Sequence, residues 1–302
     1  MERFASSIMN LKKKTVRLGL LLLLPAMILL LLFCAVPFFS NIYLSFLKWD
    51  GFNQAEFVGL KNYSFVFTNS LSFRAFKNSL LYAFASTLGA VVLGLLMATL
   101  IIRLSEREGG IFRVILYSPA MLPTAVVGVM FVFFFNPEMG LLNSFFRLIG
   151  LESFRHVWLQ DRATAMACLI FVAIWKCSGS VMMIVFAAMQ NIPRSLYESS
   201  YLEGASYRQQ ITKITLPLIK PTIALAAIST LGGQFKSYDL IFSMTQGGPA
   251  DLTTTVPIVM KKYAFSFGSF GTAAAMGVLF TIVVAVSLIA LRWSLRGETY
   301  EY

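Results

Sequence analysis

Charged residues are scarce in this sequence: Asp, Glu, Lys and Arg make up 13% of its 302 residues, about half of their usual share in soluble domains. Hydrophobic residues account for 57%. A soluble globule could not bury that much apolar surface and still cover itself with polar groups. The composition therefore predicts a protein of the lipid bilayer and argues against a secreted disulfide scaffold, a disordered tail and most soluble enzymes.

Histidine and cysteine are also rare, which limits the chemistry that the chain can perform. His156 is the only histidine, and no Cys or carboxylate cluster lies beside it in the sequence, so we expect no metal site. Cys34, Cys168 and Cys177 all lie in apolar runs, which is typical of small apolar core residues and not of a disulfide framework. No carboxylate pair or nucleophile–histidine set is visible, so we expect no catalytic residues.

Acidic residues are outnumbered by basic ones, and the formal net charge is +11. In a soluble protein this excess would suggest a nucleic-acid partner. Here the Lys and Arg residues lie mostly between apolar runs and near the N-terminus, as at Lys12, Lys13 and Lys14, where they set membrane orientation and meet lipid headgroups. We therefore expect no nucleic-acid partner, and we predict that both termini are cytoplasmic.

Six apolar runs are long enough to cross a membrane as helices, which takes about 20 apolar residues each. They cover approximately 18–40, 73–102, 113–135, 163–189, 218–244 and 270–291. The runs lack the strict alternation of barrel strands, and the first is too long for a signal peptide and has no cleavage site. We predict an all-α polytopic membrane protein: a six-helix transmembrane domain over 18–292 between cytoplasmic segments 1–17 and 293–302.

The inner connection 190–217 has helix signals of its own. Pro193 suits the first turn of a helix to about residue 203, which would end where Gly204 adopts a left-handed cap. Ser206 can cap a second short helix to about residue 214. Two prolines then bound the start of the fifth span, Pro217 and Pro221. We predict a helix–turn–helix along the cytoplasmic membrane surface.

The sequence of this connection is specific. From Glu198 it reads ESSYLEGASYRQQITKITLPLIKP, which resembles the EAA loop of ABC importer permeases: Glu-Ala-Ala, three residues, Gly-Ala, and then Ile-x-Leu-Pro. The matching positions are Glu198, Gly204, Ala205, Ile214, Leu216, Pro217 and Pro221. Ser199 and Ser200 replace the two alanines, and Glu203 stands where the family usually has Asp.

The resemblance extends over about residues 15–292. Further family-like segments are Trp175-Lys176, Asn191-Ile192-Pro193, Thr245-Gln246-Gly247-Gly248-Pro249 and Thr253 to Thr255. Phe57-Val58-Gly59-Leu60-Lys61-Asn62-Tyr63 looks like the carbohydrate-uptake branch, of the maltose and glycerol-phosphate type. The resemblance implies a permease domain in a bacterial plasma membrane.

The resemblance also implies partners. They are a homologous second permease subunit, two cytoplasmic ABC ATPase subunits and an extracytoplasmic solute-binding protein. This chain has no Gly-x-x-x-x-Gly-Lys-Ser/Thr loop, so we expect ATP and Mg to be bound by the partner ATPases and no cofactor to be bound here. The residues implied in coupling to the ATPase are Glu198, Ser199, Glu203, Gly204, Ala205, Leu216 and Pro217. The alternative is a merely solvated interfacial helix.

Polar side chains inside two spans mark a candidate substrate path, because such groups are costly in lipid and usually face a cavity or a neighbouring helix. In the fourth span the residues at helical spacing are Lys176, Ser180 and Met183, with Cys177 alongside. In the fifth span they are Thr230, Gln234 and Ser237, with Tyr238 adjacent. By resemblance to maltose-type permeases they face the substrate. For the fifth-span residues, hydrogen bonding between helices is the alternative.

Lys176 is the most specific of these residues. Its ammonium group could contact substrate, pair with an acidic residue of the partner subunit or reach the outer headgroups, and Asp239 is one candidate for neutralising it. The leading hypothesis for the whole chain is ATP-driven import of a carbohydrate. Import of glycerol phosphate or another anionic sugar derivative is an alternative. Ion-coupled secondary transport is another, although it would favour intramembrane carboxylates or paired broken helices.

Overall fold

The computed structural model describes residues 18–295, which are mostly helical. In chain order the elements are α1 (Leu18–Leu44), β1 (Leu47–Lys48), β2 (Glu56–Phe57), α2 (Lys61–Thr68), α3 (Ser70–Ile101), α4 (Glu106–Met121), α5 (Thr124–Phe134), α6 (Leu141–Leu148), α7 (Ala165–Gln190), α8 (Arg194–Leu202), α9 (Tyr207–Phe235), α10 (Asp239–Thr245), α11 (Val256–Lys261) and α12 (Phe270–Ser294). The segment 1–17 and the tail from 296 to 302 lie outside the described residues, so their expected cytoplasmic location stays a prediction.

The helices agree with the predicted polytopic class. Within residues 18–295, five helices are long and apolar enough to cross a membrane: α1, α3, α7, α9 and α12. The pair α4 and α5 passes the same criteria together and supplies a sixth crossing if it is counted as one broken span. The all-α prediction omitted a small two-stranded hairpin, in which Leu47 pairs with Phe57 and Lys48 with Glu56.

The third span is not the single helix expected over 113–135. The chain bends by 97° between α4 and α5. Two prolines cause the break, Pro119 inside α4 and Pro123 at the N-cap of α5. A proline has no N–H to donate and its ring crowds the preceding turn, so two prolines four residues apart end the helical hydrogen-bond pattern.

The fifth span also differs from the expected boundaries 218–244. The helix begins at Tyr207, so the second loop helix does not end near residue 214, and Pro217 and Pro221 lie inside α9. A π-helical turn over Ile211–Thr215 precedes the prolines, with the Leu216 N–H bonded to the Ile211 carbonyl. This wider turn shifts the hydrogen-bond register ahead of Pro217, so the helix continues. At its other end, α9 stops at Phe235 and α10 starts afresh at Asp239.

The centre of the bundle is formed by α3 and α7, which approach closely because their contact surfaces carry small residues. A Cβ placed on Gly94 of α3 would lie 2.8 Å from the Cβ of Val181 on α7. On another face of α7, a Cβ placed on Gly179 would lie 2.3 Å from the Leu116 carbonyl oxygen of α4. Helix α7 is therefore in contact with both α3 and the broken span.

Helix α1 is attached at one end of the bundle. Its second half, Val36–Leu44, packs on α12, while leucines of its first half are mostly exposed, as at Leu22 (74%). In a membrane protein such a surface is available to lipid or to another subunit. On the hairpin side, Asn62 donates to the carbonyls of Ser45 and Leu47, which joins the end of α1 to α2.

Candidate functional site

A cavity of about 430 Å³ lies between α3, α7 and the break that separates α9 from α10. All seven residues predicted for the substrate path line it: Lys176, Cys177, Ser180, Thr230, Gln234, Ser237 and Tyr238. Helix α7 contributes the first three of these residues and α9 contributes Thr230 and Gln234, whereas Ser237 and Tyr238, expected on the helix of the fifth span, lie in the break after α9. Met183, which shares the spacing on α7, instead packs beside a buried apolar cluster.

Hydrogen bonds fix several of these side chains. Gln234 is buried and donates from Nε2 to the Cys177 Sγ at 3.0 Å, which ties α9 to α7. The Ser237 hydroxyl lies 3.1 Å from the Tyr82 hydroxyl of α3. The Thr230 hydroxyl donates to the Ala226 carbonyl one turn earlier, and its remaining lone pairs are free to accept. Donors and acceptors from three helices thus surround the cavity.

Tyr82 was missed by the sequence reasoning, as were Thr124, Ser229 and Lys236, which also line the cavity. A signal for Tyr82 was present, because Asn78, Tyr82 and Ser86 recur every four residues in the second span and share one helix face. All three are buried. The break at residues 236–238 had no comparable signal, since no proline or glycine lies there.

Lys176 reaches neither an acidic residue nor the end of its helix. Its ammonium group donates to the Leu122 carbonyl at 2.9 Å and to the Ala120 carbonyl at 3.4 Å, at the bend between α4 and α5. Asp239 lines the same cavity. However, the ion pairs among residues 18–295 are His156–Asp161 and Lys262–Asp251, so the structure does not contain the suggested pair of Lys176 with Asp239.

An aromatic and cationic group surrounds Tyr238 at the edge of the cavity lining. The Tyr238 ring stacks on Phe242 with centroids 5.0 Å apart. The Lys261 ammonium donates to the Tyr238 hydroxyl at 2.8 Å and lies 4.2 Å from the Phe242 ring centroid. Tyr238 thus offers a flat apolar surface beside hydrogen-bonding groups, a combination that suits the alternating apolar and hydroxylated faces of a sugar ring.

The segment 190–217 begins with the expected helix and turn. Helix α8 is followed by Gly204 in the left-handed conformation, with φ of +80°. The Ala205 N–H bonds back to the Ser200 carbonyl at 2.9 Å, which closes the helix end. Ser206 then starts α9 with a reciprocal capping box to Gln209. Glu198, Ser199 and Glu203 are exposed on α8 or at its C-terminal end.

Side chains attach α8 to the spans. The Tyr197 hydroxyl lies 2.9 Å from the Thr215 hydroxyl of α9, and Gln210 donates to the Ser200 hydroxyl at 2.9 Å. The Tyr207 hydroxyl donates to the Thr99 carbonyl of α3 at 2.8 Å, and the Arg103 guanidinium lies 4.4 Å from the Tyr207 ring centroid. Leu216 and Pro217 continue from this region within α9. Hydrogen bonds therefore attach the short helix α8 to α9, and the start of α9 is in turn bonded to α3.

The tip of α8 carries an exposed apolar patch. Leu202 is 86% exposed and Tyr201 is 76% exposed, and they flank a shallow depression together with Tyr197 and Glu198. These adjoining apolar side chains make the tip of α8 a candidate contact surface for another protein.

At the opposite end of the bundle, the Gly247-Gly248-Pro249 loop is bound to α3. Arg74 donates to the Ala250 carbonyl at 3.0 Å, and Asn78 donates to the carbonyls of Leu252 and Thr254. Near the hairpin, backbone N–H groups of Asn53 and Phe52 hydrogen-bond the Asp50 carboxylate and lower the pKa of Asp50 to about 2. These hydrogen bonds favour the ionised carboxylate, which holds the turn.

Comparison with known proteins gives consistent matches. The profile of a family described as "Binding-protein-dependent transport system inner membrane component" matches residues 90–297. The chain is 34% identical to a probable ABC transporter permease protein, YurN of Bacillus subtilis, over 92% of this chain and 96% of the relative. It is 29% identical to the trehalose/maltose transport system permease protein MalF of Thermococcus litoralis, over 94% and 95% of the two chains.

The fold also matches a solved structure. A chain in the crystal structure of a bacterial ABC transporter that imports the acidic polysaccharide alginate superposes with a TM-score of 0.81. The alignment covers 95% of this chain and 98% of that chain, at 27% sequence identity.

Proposed function

Because this chain belongs to the family of binding-protein-dependent transport system inner membrane components, we propose that it is the permease subunit through which an ATP-driven importer moves a carbohydrate. It is an inner-membrane transport subunit and not an enzyme. The proposed substrate class follows from the trehalose/maltose permease and the alginate importer that resemble it. The proposed partners are a second permease subunit, two ABC ATPases on the cytoplasmic side and an extracytoplasmic solute-binding protein.

One observation carries this proposal: the helices that line the polar cavity also connect to the exposed short helix α8. Helix α9 contributes Thr230 and Gln234 to the cavity and begins in the capping box that follows α8. Helix α3 contributes Tyr82 to the cavity. Near its C-terminal end, the Thr99 carbonyl of α3 accepts a hydrogen bond from the Tyr207 hydroxyl of α9. A movement of α8 would therefore reach the cavity through two rigid helices.

The orientation follows from the same assignment. Helix α8, together with Glu198, Ser199, Glu203, Gly204 and Ala205, contacts an ATPase in the cytoplasm, with Leu216 and Pro217 carrying the movement into α9. The outer hairpin and the Gly247-Gly248-Pro249 loop then face the solute-binding protein. Both termini are cytoplasmic in this arrangement, which agrees with the positive charge near the N-terminus. ATP binding by the partners would open the cavity outward, and release of the nucleotide products would return it inward.

Within the cavity, the side chains exchange hydrogen bonds with the sugar. Thr230, Ser180 and Ser237 supply hydroxyl groups, and Tyr238 supplies a ring face. Because each neutral hydrogen bond contributes only about 1 kcal/mol, binding is weak enough for release. Such a cavity does not require high affinity, since the binding protein delivers the sugar.

The test compares two matched threonines in the transporter reconstituted with its partners. Thr230 and Thr281 both donate to the carbonyl four residues earlier, at 2.8 and 2.9 Å, but only Thr230 lines the cavity. A ligand screen on the companion binding protein first identifies the sugar. Thr230→Val is then expected to raise the KM for ATP-driven uptake about three- to tenfold, the equivalent of one neutral hydrogen bond.

Thr281→Val is the control, and its uptake kinetics are expected to match those of the unmodified protein. Equal effects of the two substitutions would contradict the assignment of the cavity. Uptake that continues without ATP and disappears with an ion gradient would contradict the importer itself and favour a secondary transporter.

A further inference from the structure

The bend between α4 and α5 leaves backbone carbonyls without helical partners. Pro123 has no N–H, and the Leu122 N–H turns back to the Pro119 carbonyl at 3.3 Å. Within α4, Pro119 cannot donate to the Ile115 carbonyl, and the Ser118 hydroxyl donates to it instead at 2.8 Å. The carbonyls of Ala120 and Leu122 therefore need donors from outside the helix, because an unsatisfied carbonyl is costly at membrane depth.

Lys176 of α7 supplies both donations. Its ammonium group bonds to Leu122 at 2.9 Å and to Ala120 at 3.4 Å, and no other side chain among residues 18–295 donates to these two carbonyls. An ammonium group has three donors, so one remains while two hold the bend. The same group lines the cavity, as does Thr124 on the far side of the bend.

The other end of α4 reaches the region of α8. A gap of about 600 Å³ separates them, lined by Ser105, Glu106 and Arg113 on the α4 side and by Arg194 and Tyr197 on the α8 side. The Arg113 guanidinium lies 4.8 Å from the Phe186 ring centroid on α7, which fixes α4 alongside α7. Helix α4 thus runs from the bend beside the cavity to the gap that separates it from α8.

We propose that Lys176 is a positioning residue that fixes the angle between α4 and α5, and that an oxygen atom of a ligand in the cavity engages its third donor, so that occupancy of the cavity acts on α4. Only the second part, the effect of a bound ligand on α4, rests on the proposed transport function. The geometric part, that Lys176 holds the bend, stands without any assumption about substrate. The proposed role of Lys176 differs from the three roles considered from the sequence, which were contact with substrate, pairing with the partner subunit and interaction with lipid headgroups.

The experiment measures the bend directly by electron paramagnetic resonance distance measurement in the assembled transporter. Nitroxide-bearing unnatural amino acids replace Ile111 on α4 and Val129 on α5, which are 61% and 50% exposed, so the native cysteines stay in place. Without any sugar present, the unmodified chain is expected to give one narrow distance distribution. Lys176→Met is expected to lose it and to give a broad or shifted distribution.

Two further variants make the result specific. Lys176→Arg keeps a cationic donor of similar length and is expected to restore the narrow distribution. Lys236→Met removes another lysine of the same cavity, one that does not bond to the bend, and is expected to leave the distribution unchanged. If Lys176→Met does not assemble, Lys176→Gln provides the neutral variant with the same expected loss.

A narrow, unshifted distribution in the neutral Lys176 variant would overturn the proposal, and so would an equal change in Lys236→Met. Because this readout needs neither sugar nor ATP, it separates the proposal from the proposed function. If the neutral Lys176 variant broadens the distance distribution but the unmodified transporter imports no sugar, the transport assignment is contradicted and the role of Lys176 at the bend stands. Normal coupling of ATP hydrolysis to uptake in a variant whose distribution is broad would overturn the step from the cavity to α4.

Discussion

At the scale of single residues, the polar side chains of the spans obtain their partners mainly from backbone carbonyls. Thr230 and Thr281 donate within their own helices, whereas Lys176 donates across to another helix that is broken. The sequence predicts which residues form a polar face, because spacing alone decides that. It does not predict the partner of Lys176, because that depends on a bend formed 54 residues earlier in the chain.

Gly204 permits a direct test at this scale. Its φ is +80°, and no heavy atom lies within 4 Å of the position that a Cβ would occupy, so a substitution meets backbone strain and no collision. Gly204→Val is expected to destabilise the turn by about 1–2 kcal/mol and to lower the uptake of sugar per ATP hydrolysed while the protein still inserts in the membrane.

Gly204→Asn is the matched control, because asparagine tolerates the left-handed conformation better than valine does. It is expected to retain most of the coupling. The measurement is the ratio of sugar imported to ATP hydrolysed in proteoliposomes. Equal ratios for the valine variant and the unmodified protein would contradict a role of Gly204 in coupling.

At the scale of elements, the sequence locates the apolar helices well and their interruptions poorly. The run over 163–189 corresponds closely to α7, since a long apolar stretch can form little else in a bilayer. The run over 113–135 becomes two helices, and that over 218–244 is divided at 236–238. Hydropathy is insensitive to such breaks, because α5 and α10 remain apolar after the chain changes direction. Five of the seven cavity residues were predictable because they depend on spacing within a single helix, three on α7 and two on α9, whereas Ser237 and Tyr238 lie in the break after α9.

Helix packing provides a second prediction. At Gly179 an added Cβ would lie 2.3 Å from the Leu116 carbonyl oxygen, whereas at Gly232 nothing lies within 4 Å. Gly179→Leu is therefore expected to force α4 away from α7 and to destabilise the protein by about 1–3 kcal/mol. The measurement is the midpoint of thermal unfolding in detergent, with Gly232→Ala as the variant expected to change it little. Equal midpoints for the Gly179 variant and the unmodified protein would show that the two helices do not pack this closely.

At the scale of the whole molecule, the proposed role of the chain is to provide a path for the substrate and a mechanical connection to the partner ATPases. Apolar surface on α1 and at the tip of α8 is exposed in the isolated chain, and residues such as Leu22 and Leu202 are more than two-thirds exposed. Surfaces of this kind are expected on a subunit that is completed by lipid and by other subunits. The fold of one chain does not identify its neighbours. The expectation that an ABC ATPase contacts α8 comes from the resemblance of residues 198–221 to the EAA loop.

The central claim is that the tip of α8 contacts an ATPase on the cytoplasmic side, and site-specific photo-crosslinking tests it most directly. A photoreactive amino acid replaces Leu202 of α8 or, as a matched position of equal exposure, Leu148 of α6, which are 86% and 84% exposed. In the assembled transporter in membranes, the Leu202 position is expected to form a crosslink to the ATPase subunit, and the Leu148 position is expected to form none. A crosslink to the ATPase from Leu148 and none from Leu202 would contradict the account.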